Sequence, residues 1–273
     1  MILHKKSWYS FLFLALLWGS SLVAQDTIAN DNSKNAFLKD LDQRNWQIKV
    51  PLWVPGFTGN FAYVGISNLP EEDDKNIIGR LNGEIGVSFY LIGNIRFTPK
   101  NWLFEVDGFH TTLASNLKFE NIDRFQFNAT IEGTIIRGLA GYNVYETINP
   151  DNYFSLKLYP YGGLRYIDLH IYSENINVLD VKPSWFEPIV GVEIPINVKR
   201  WFFSAKIDVG GFGIDNHWSW HASGNAGYRF SKLFAMGLGW SVLDFNYDQE
   251  YNKQYLDLGI RLAGPVLSLQ FQF

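Results

Sequence analysis

A period of two is the strongest constraint on what this chain can fold into. At its end Leu267, Leu269, Phe271 and Phe273 alternate with Ser268, Gln270 and Gln272. Such alternation gives an extended strand one apolar and one polar face. The pattern recurs upstream. Ile85, Val87, Phe89, Leu91, Ile95 and Phe97 oppose Glu84, Ser88, Tyr90, Asn94 and Arg96. Phe125, Phe127, Ala129, Ile131 and Ile135 oppose Gln126, Asn128, Thr130, Glu132 and Thr134, and Phe203, Ala205, Ile207 and Val209 oppose Ser204, Lys206, Asp208 and Gly210. Many of these segments run past the length of ordinary globular strands. Their polar faces mix Gly, Ser, Asn and Tyr with charges of both signs, whereas a soluble sandwich would show water a face dominated by Lys and Glu. The pattern therefore predicts an all-β chain, a transmembrane antiparallel up-and-down β-barrel with lipid outside and a polar interior.

Connections alternate in length, which sets the strand count. The tight ones are Thr98-Pro99-Lys100-Asn101, Asn149-Pro150-Asp151-Asn152, Val198-Lys199-Arg200 and Ser231-Lys232; longer links lie at Asn68–Asn76, Leu117–Asp123, Ser173–Pro183, Ile214–His217 and Gln249–Lys253. Four tight turns and five links imply ten strands, and bacterial single-chain barrels have even counts. Eight or twelve strands are alternatives. Leu256, Leu258, Ile260 and Leu262 share even parity but Pro265, Leu267, Leu269, Phe271 and Phe273 odd parity, so a β-bulge is expected at Gly264-Pro265. Twelve strands would result if the last segment split there and the first split among Pro51, Pro55, Gly56 and Gly59. Trp46, Trp102, Tyr153, Trp201, Phe230 and Phe273 would form a girdle at the turn end, with Trp185, Trp218 and Tyr247 near the other.

The ends of the chain suggest an address. Lys5 and Lys6 precede the apolar stretch Phe11–Trp18, and Ser20-Ser21-Leu22-Val23-Ala24 offers small residues for cleavage before Gln25. Residues 1–24 read as a secretory signal peptide, 25–45 as a flexible periplasmic lead, and 46–273 as the barrel. The terminal strand with Leu269, Phe271 and Phe273 resembles the signal by which the outer-membrane barrel assembly machinery recognises its clients. The expected location is thus the outer membrane of a Gram-negative cell, with the lipid bilayer and lipopolysaccharide as partners. The chain has no cysteine, which excludes disulfides, thiolate metal sites and a lipid anchor on an N-terminal cysteine. Aromatics reach 17%, charges fall to 18%, and the net charge of −4 argues against a nucleic-acid partner.

Several elements resemble a broad family of bacterial outer-membrane β-barrel proteins, mostly without assigned function. They are Trp46 with Pro51 and Pro55-Gly56, Pro160-Tyr161-Gly162-Gly163-Leu164-Arg165-Tyr166, Gly210-Gly211-Phe212-Gly213, Trp218-Ser219-Trp220, Gly227-Tyr228-Arg229-Phe230, and Gly264-Pro265 with Phe273. A second Gly-Tyr-Arg element reads Gly239-Trp240-Ser241 here, so no role for that Arg carries over. The resemblance implies an architecture and no reaction.

Two motifs invite a catalytic reading. His221-Ala222-Ser223 resembles the His-x-Ser of lipid A deacylases, but Trp218, Trp220, Ala222 and Ala226 form the apolar outward face, which turns His221, Ser223 and Asn225 into the lumen and away from lipid. Asp215-Asn216-His217 is similar to an element of outer-membrane proteases, yet reads as a rim turn; Glu71-Glu72-Asp73-Asp74 reads as a solvated loop. No catalytic residue, metal or cofactor is assigned. The interior charges expected are Glu105, Asp107, Glu132, Arg137, Asp168, Glu187, Glu193, Lys206, Asp208, Asp257 and Arg261, paired into a network that fills a narrow lumen. The functional expectation is a non-enzymatic barrel with a structural or surface-interaction role, whose partner would meet the links Asn68–Asn76 and Ser173–Pro183. A narrow channel or transporter for a small solute is the alternative, and a lipid- or peptide-hydrolysing enzyme a remote one.

Overall fold

The computed structural model describes residues 44–64, 78–82, 88–119, 126–149, 153–172, 180–214, 217–251 and 254–273. The expected signal peptide, the expected lead up to residue 43, the Asn68–Asn76 link, Glu71–Asp74, Asp215 and Asn216 and most of the other long links lie outside them. Fourteen β segments make up ten staves. The first stave is β1 (Trp46–Trp53) with β2 (Gly56–Val64); the second is β3 (Ile78–Asn82) with β4 (Ser88–Phe97). Next come β5 (Trp102–Phe119), β6 (Gln126–Tyr142) with β7 (Tyr145–Asn149), β8 (Phe154–Tyr172), and β9 (Asp180–Val181) with β10 (Ser184–Val198). The last four are β11 (Trp201–Gly210), β12 (Trp218–Arg229), β13 (Phe234–Tyr251) and β14 (Gln254–Gln272). Every neighbouring pair is antiparallel, and the first stave closes on β14 through both of its segments. The fold is a closed, ten-stranded antiparallel β-barrel, as the turn count anticipates.

Closure carries a measurable stagger. Starting at Ile260, the ladder partners run through Phe245, Ser219, Gly210, Ile189, Gly163, Leu139, Glu105, Arg96 and Gln47. Gln47 then pairs with Gln272 on the strand where the path began, twelve residues from Ile260. A shear of that size over ten strands means tilted staves.

The expected bulge at Gly264-Pro265 is absent. The β13–β14 ladder runs without a shift from Phe234↔Phe271 to Tyr251↔Gln254. The first stave is likewise one strand, because Trp53↔Val266 and Gly56↔Ala263 continue a single register on β14. Pro55, which lacks an N–H, falls in the two-residue gap between β1 and β2. Opposite it stands Gly264, where a Cβ would come within 2.0 Å of the Val54 carbonyl oxygen. Twelve strands are thereby excluded. Real irregularities occur elsewhere: between Leu91 and Asn94 on β4, and at Asn143-Val144, where Gly141↔Tyr161 is followed by Tyr145↔Leu158.

What changes at Gly264-Pro265 is the face that is apolar. On β13 the outward residues are Phe234, Met236, Leu238, Trp240 and Val242, then Asp244, Asn246 and Asp248. The inward ones are Ala235, Gly237, Gly239 and Ser241, then Leu243, Phe245 and Tyr247. Leu238 is 67% exposed and Phe245 only 1%. The same inversion appears between Ala263 and Arg261 on β14, Ile136 and Thr134 on β6, Tyr166 and Asp168 on β8, and Phe186 and Ser184 on β10. From Asp244 the ladder passes through Trp220, Val209, Val190 and Gly162 to Ala140, six residues below Thr134. A plane normal to the axis moves twelve residues over ten strands, hence six over these five steps. The seam is therefore level.

Above the seam, away from the tight turns, the interior is a hydrophobic core. Ile131, Ile135, Ile167, Leu169, Ile171, Val181, Trp185, Leu243, Phe245, Tyr247, Leu258, Ile260 and Leu262 pack together with Trp53 and Phe109 against them. This plug corrects the expected girdle: Trp185 and Tyr247 point inward with their ring centroids 4.8 Å apart, and the His217 ring packs against both, at 5.2 and 4.8 Å. Trp218 stays outside at 47% exposure. At the turn end Trp46, Trp102, Trp201, Phe230 and Phe273 face out as expected, whereas Tyr153 lines the interior. Three of the tight turns hold a non-glycine residue with positive φ, Lys100, Tyr153 and Lys199. Arg44 and Asn45, expected in the flexible lead, already bond the barrel at Gln272 O and Thr98 N.

Candidate functional site

Below the plug the inward positions are charged, and the ladder brings them into two layers. In the lower layer Arg96 donates to Glu105 at 2.8 Å and also to Glu193, and Lys206 Nζ reaches Glu105 at 2.5 Å and Glu193 at 4.0 Å. In the upper layer Arg137 clamps Asp107 with Nε at 2.9 Å and Nη2 at 3.1 Å, and its Nη1 reaches Asp208 at 3.3 Å. Arg165 sits deepest. Its Nη1 donates to Glu187 and to Ser219 Oγ, both at 2.7 Å, and its Nη2 to Asp208. The Ser219 hydroxyl in turn donates a hydrogen bond to Glu187 at 2.6 Å, and Tyr161 donates to Asp208 at 2.9 Å. Small residues make the room: a Cβ at Gly191 would stand 2.6 Å from the Tyr161 ring. Arg165, Glu187 and Asp208 are fully buried, so the net gain from these pairs is small and the penalty for breaking one is large.

Of the interior charges expected from sequence, Glu105, Asp107, Arg137, Glu187, Glu193, Lys206 and Asp208 meet in this network. Glu132, Asp168 and Arg261 do not. Each lies above the seam and points outward: Glu132 beside His170 and Tyr172, Asp168 exposed, and Arg261 on Asp244 at 2.7 Å and over the Trp220 ring. The backbone of Asp257 pairs with Asp248 and Ala62, and its side chain lies outside the described set. Sequence reasoning missed Arg96 and Arg165 as members, and Lys49, which borders the cavities on both sides of the network. Arg165 shares odd numbering with Ile167, Leu169 and Ile171, so its inward placement follows once the structure shows that this apolar face is the interior one.

His221 is inward, as the face argument requires, and its contacts resemble a nucleophile triad in outline. Nδ1 lies 3.1 Å from Asp208 and Nε2 3.2 Å from Ser241 Oγ; Ser223 is not its partner. Arg137 Nη1, however, stands 3.0 Å from the same Nδ1. A guanidinium only donates. Asp208 already accepts from Arg165, Arg137 and Tyr161, so we assign the proton to Nε2, which donates to Ser241. A serine nucleophile needs the opposite arrangement, with its hydroxyl donating to an unprotonated Nε2. The group is a buried polar junction. Among the described residues no cluster of three or more His, Asp or Glu side chains has the geometry to hold a metal ion.

Two cavities flank the network. One of about 200 Å³ lies between it and the plug, bordered by Trp53, Phe109, His221 and Ser241. The other, about 460 Å³, opens at the turn end. Lys49, Arg96 and Glu193 border both.

Fold and interior together define a closed β-barrel with a charge-filled lower lumen and an apolar plug above it. Among solved structures it is similar to the translocator domain of the autotransporter NalP from Neisseria meningitidis, at 13% identity and a TM-score of 0.41, with 93% of this chain and 98% of that one covered. It is also similar to the transport unit of the autotransporter AIDA-I from Escherichia coli, at 7% identity and a TM-score of 0.41, covering 89% and 98%. A Pseudomonas aeruginosa FadL homologue aligns at 11% identity and a TM-score of 0.29, covering 88% and 92%. No family model and no curated protein matches the chain.

Proposed function

We propose that the protein spans the outer membrane with the lower part of its barrel and raises the upper part above the bilayer as a stable, apolar-cored head for surface contacts, without conducting solutes. The observation that carries this reading is the level seam. Below it the outward positions include Ile48, Leu52, Ile95, Phe104, Val106, Leu164, Val190, Ile207 and Leu238, all well exposed, and no outward residue described there is charged. Lipid tolerates such a surface and water does not. Above it Glu132, Asp168, His170, Asp244 and Arg261 face out. Soluble packing has no reason to place that exchange in one plane normal to the axis.

The tight turns then lie in the periplasm, with Trp46, Trp102, Trp201 and Phe273 at one interface and Trp218 and Trp220 at the other. Non-conduction is supported by the plug, in which Ile167, Ile171, Leu258 and Phe245 have at most 1% exposure. The chain has no native cysteine, which makes labelling clean. Asn246→Cys should react with a membrane-impermeant maleimide on intact cells, and Leu238→Cys should not. Equal labelling of both would refute the placement, and reproducible conductance steps in planar bilayers would refute the closed lumen.

A further inference from the structure

We propose that the cavity of about 200 Å³ between the ion-pair layers and the plug binds a small apolar molecule carrying one hydroxyl, a phenol or a cyclic alcohol, with Asn94 as its polar anchor. The inference goes beyond the membrane placement: binding in detergent does not depend on it, and its failure would leave that placement untouched.

Asn94 borders this cavity from β4 and is only 8% exposed. Among the described residues its side chain makes no hydrogen bond. Buried amides are nearly always paired, so this one is left with a donor and an acceptor to offer a ligand. The register shift on β4 falls at the same residue. Leu91 pairs with Phe109 and Asn94 with Asp107, three residues against two, an insertion of the kind that re-aims a side chain beside a site. Because Asn94 stands opposite Asp107, Phe109 is its diagonal neighbour on the inward face, within reach of an aromatic ring.

The Phe109 ring meets the Trp53 ring edge-on at 4.8 Å, and the Trp53 indole N–H is taken by the Gly264 carbonyl at 3.2 Å. With Val266 and Leu243 these rings give the cavity an apolar wall. The polar groups across from it, among them Arg96, Glu105, Arg137 and His221, already serve one another. A water at that wall finds too few partners, and a hydrocarbon leaves the amide unpaired. A hydroxyl both donates and accepts, and a six-membered ring fits the space, since an apolar cavity of about 150 Å³ holds benzene. The way in is from the turn end. Lys49, Arg96 and Glu193 border both this cavity and the cup beneath it. Arg96 and Glu193 hold each other, whereas Lys49 forms no ion pair among the described residues and is free to swing aside.

The test is fluorine NMR of para-fluorophenol with the folded full-length chain in detergent. A saturable bound signal is expected, displaced by phenol and by cyclohexanol, and roughly tenfold less well by toluene, which lacks the hydroxyl. Asn94→Leu keeps a similar volume, removes a side chain that makes no hydrogen bond, and should abolish the preference for phenol over toluene. Val266→Phe fills the cavity and should abolish the bound signal, with urea unfolding to check that both variants fold. Absence of a saturable signal would leave the cavity to water and overturn the proposal. Equal displacement by phenol and toluene, a preference that survives Asn94→Leu, or a signal that survives Val266→Phe would overturn it as well.

Discussion

Arg165→Met is the most informative single substitution in this barrel. The guanidinium has no solvent exposure and serves Glu187, Asp208 and Ser219 at once. Each charge-assisted bond is worth about 1.5–3 kcal/mol, and three such bonds would suggest a very large loss. The contacts that survive limit it. Asp208 keeps Arg137 and Tyr161 and stays compensated, whereas Glu187 keeps only the Ser219 hydroxyl. One uncompensated buried carboxylate then remains, and breaking a buried pair in that way costs about 3–5 kcal/mol. Removing the stranded charge as well should recover much of it, so Arg165→Met with Glu187→Gln should be more stable than Arg165→Met alone. Urea unfolding of barrels refolded into lipid vesicles, followed by the fluorescence of the 8 tryptophans of residues 46–273, measures both. A loss below about 1 kcal/mol for the single variant, or a double variant no more stable than the single, would refute the reasoning.

Other outcomes follow from the seam and the junctions. Leu238→Arg, on the outward face of β13 below the seam, should cost about 2–4 kcal/mol in vesicle unfolding if that face meets lipid, while Asn246→Arg, above the seam, should cost about 0–1; similar costs would remove the basis for a boundary at Val242. Phe245→Ala in the plug should destabilise by about 3–5 kcal/mol, yet leave the barrel non-conducting because the ion-pair layers lie beneath it. A step increase in conductance would show that the plug alone seals the lumen. Ser241→Ala should leave any esterase signal of the purified protein unchanged, and a fluorophosphonate probe should not label Ser241; labelling lost in that variant would contradict the proton placement on His221.

Ten strands, the four tight turns and the inward placement of His221 were all legible in the sequence, because each depends on period two and on turn chemistry alone. The errors share one cause. Glu132 and Arg137 differ in parity, so the two cannot share a face on an unbulged strand. Reading charge as interior everywhere ignored this, and the bulge expected at Gly264-Pro265 allowed Arg261 to be placed inside. Parity fixes only which residues share a face. Which face meets lipid depends on height, and height emerges only when ten ladders and their shear are assembled. Arg96 was obscured for another reason: its partners, Glu105 and Glu193, lie on other strands, and Glu193 is 97 residues from it in the chain.

The inversion also accounts for how such a strand keeps its register. A one-residue slip moves every side chain to the other face, and it is resisted only where the two faces differ. Below the seam the outward face of β14 is Leu267, Leu269 and Phe271, and the inward face Ser268 and Gln270. Above it the order reverses, with Leu258, Ile260 and Leu262 inside and Arg261 outside. Had the interior stayed polar above the seam, both faces would be polar there and slippage would cost little. Had it been apolar below, the lower staves would be apolar on both sides. Reversing the interior at the height where the exterior reverses preserves the contrast along β13 and β14, and their unshifted ladder from Phe234 to Tyr251 is the result. The ion-pair layers are then the form that a polar interior takes when the lumen has little room for water, since charges held there must meet one another.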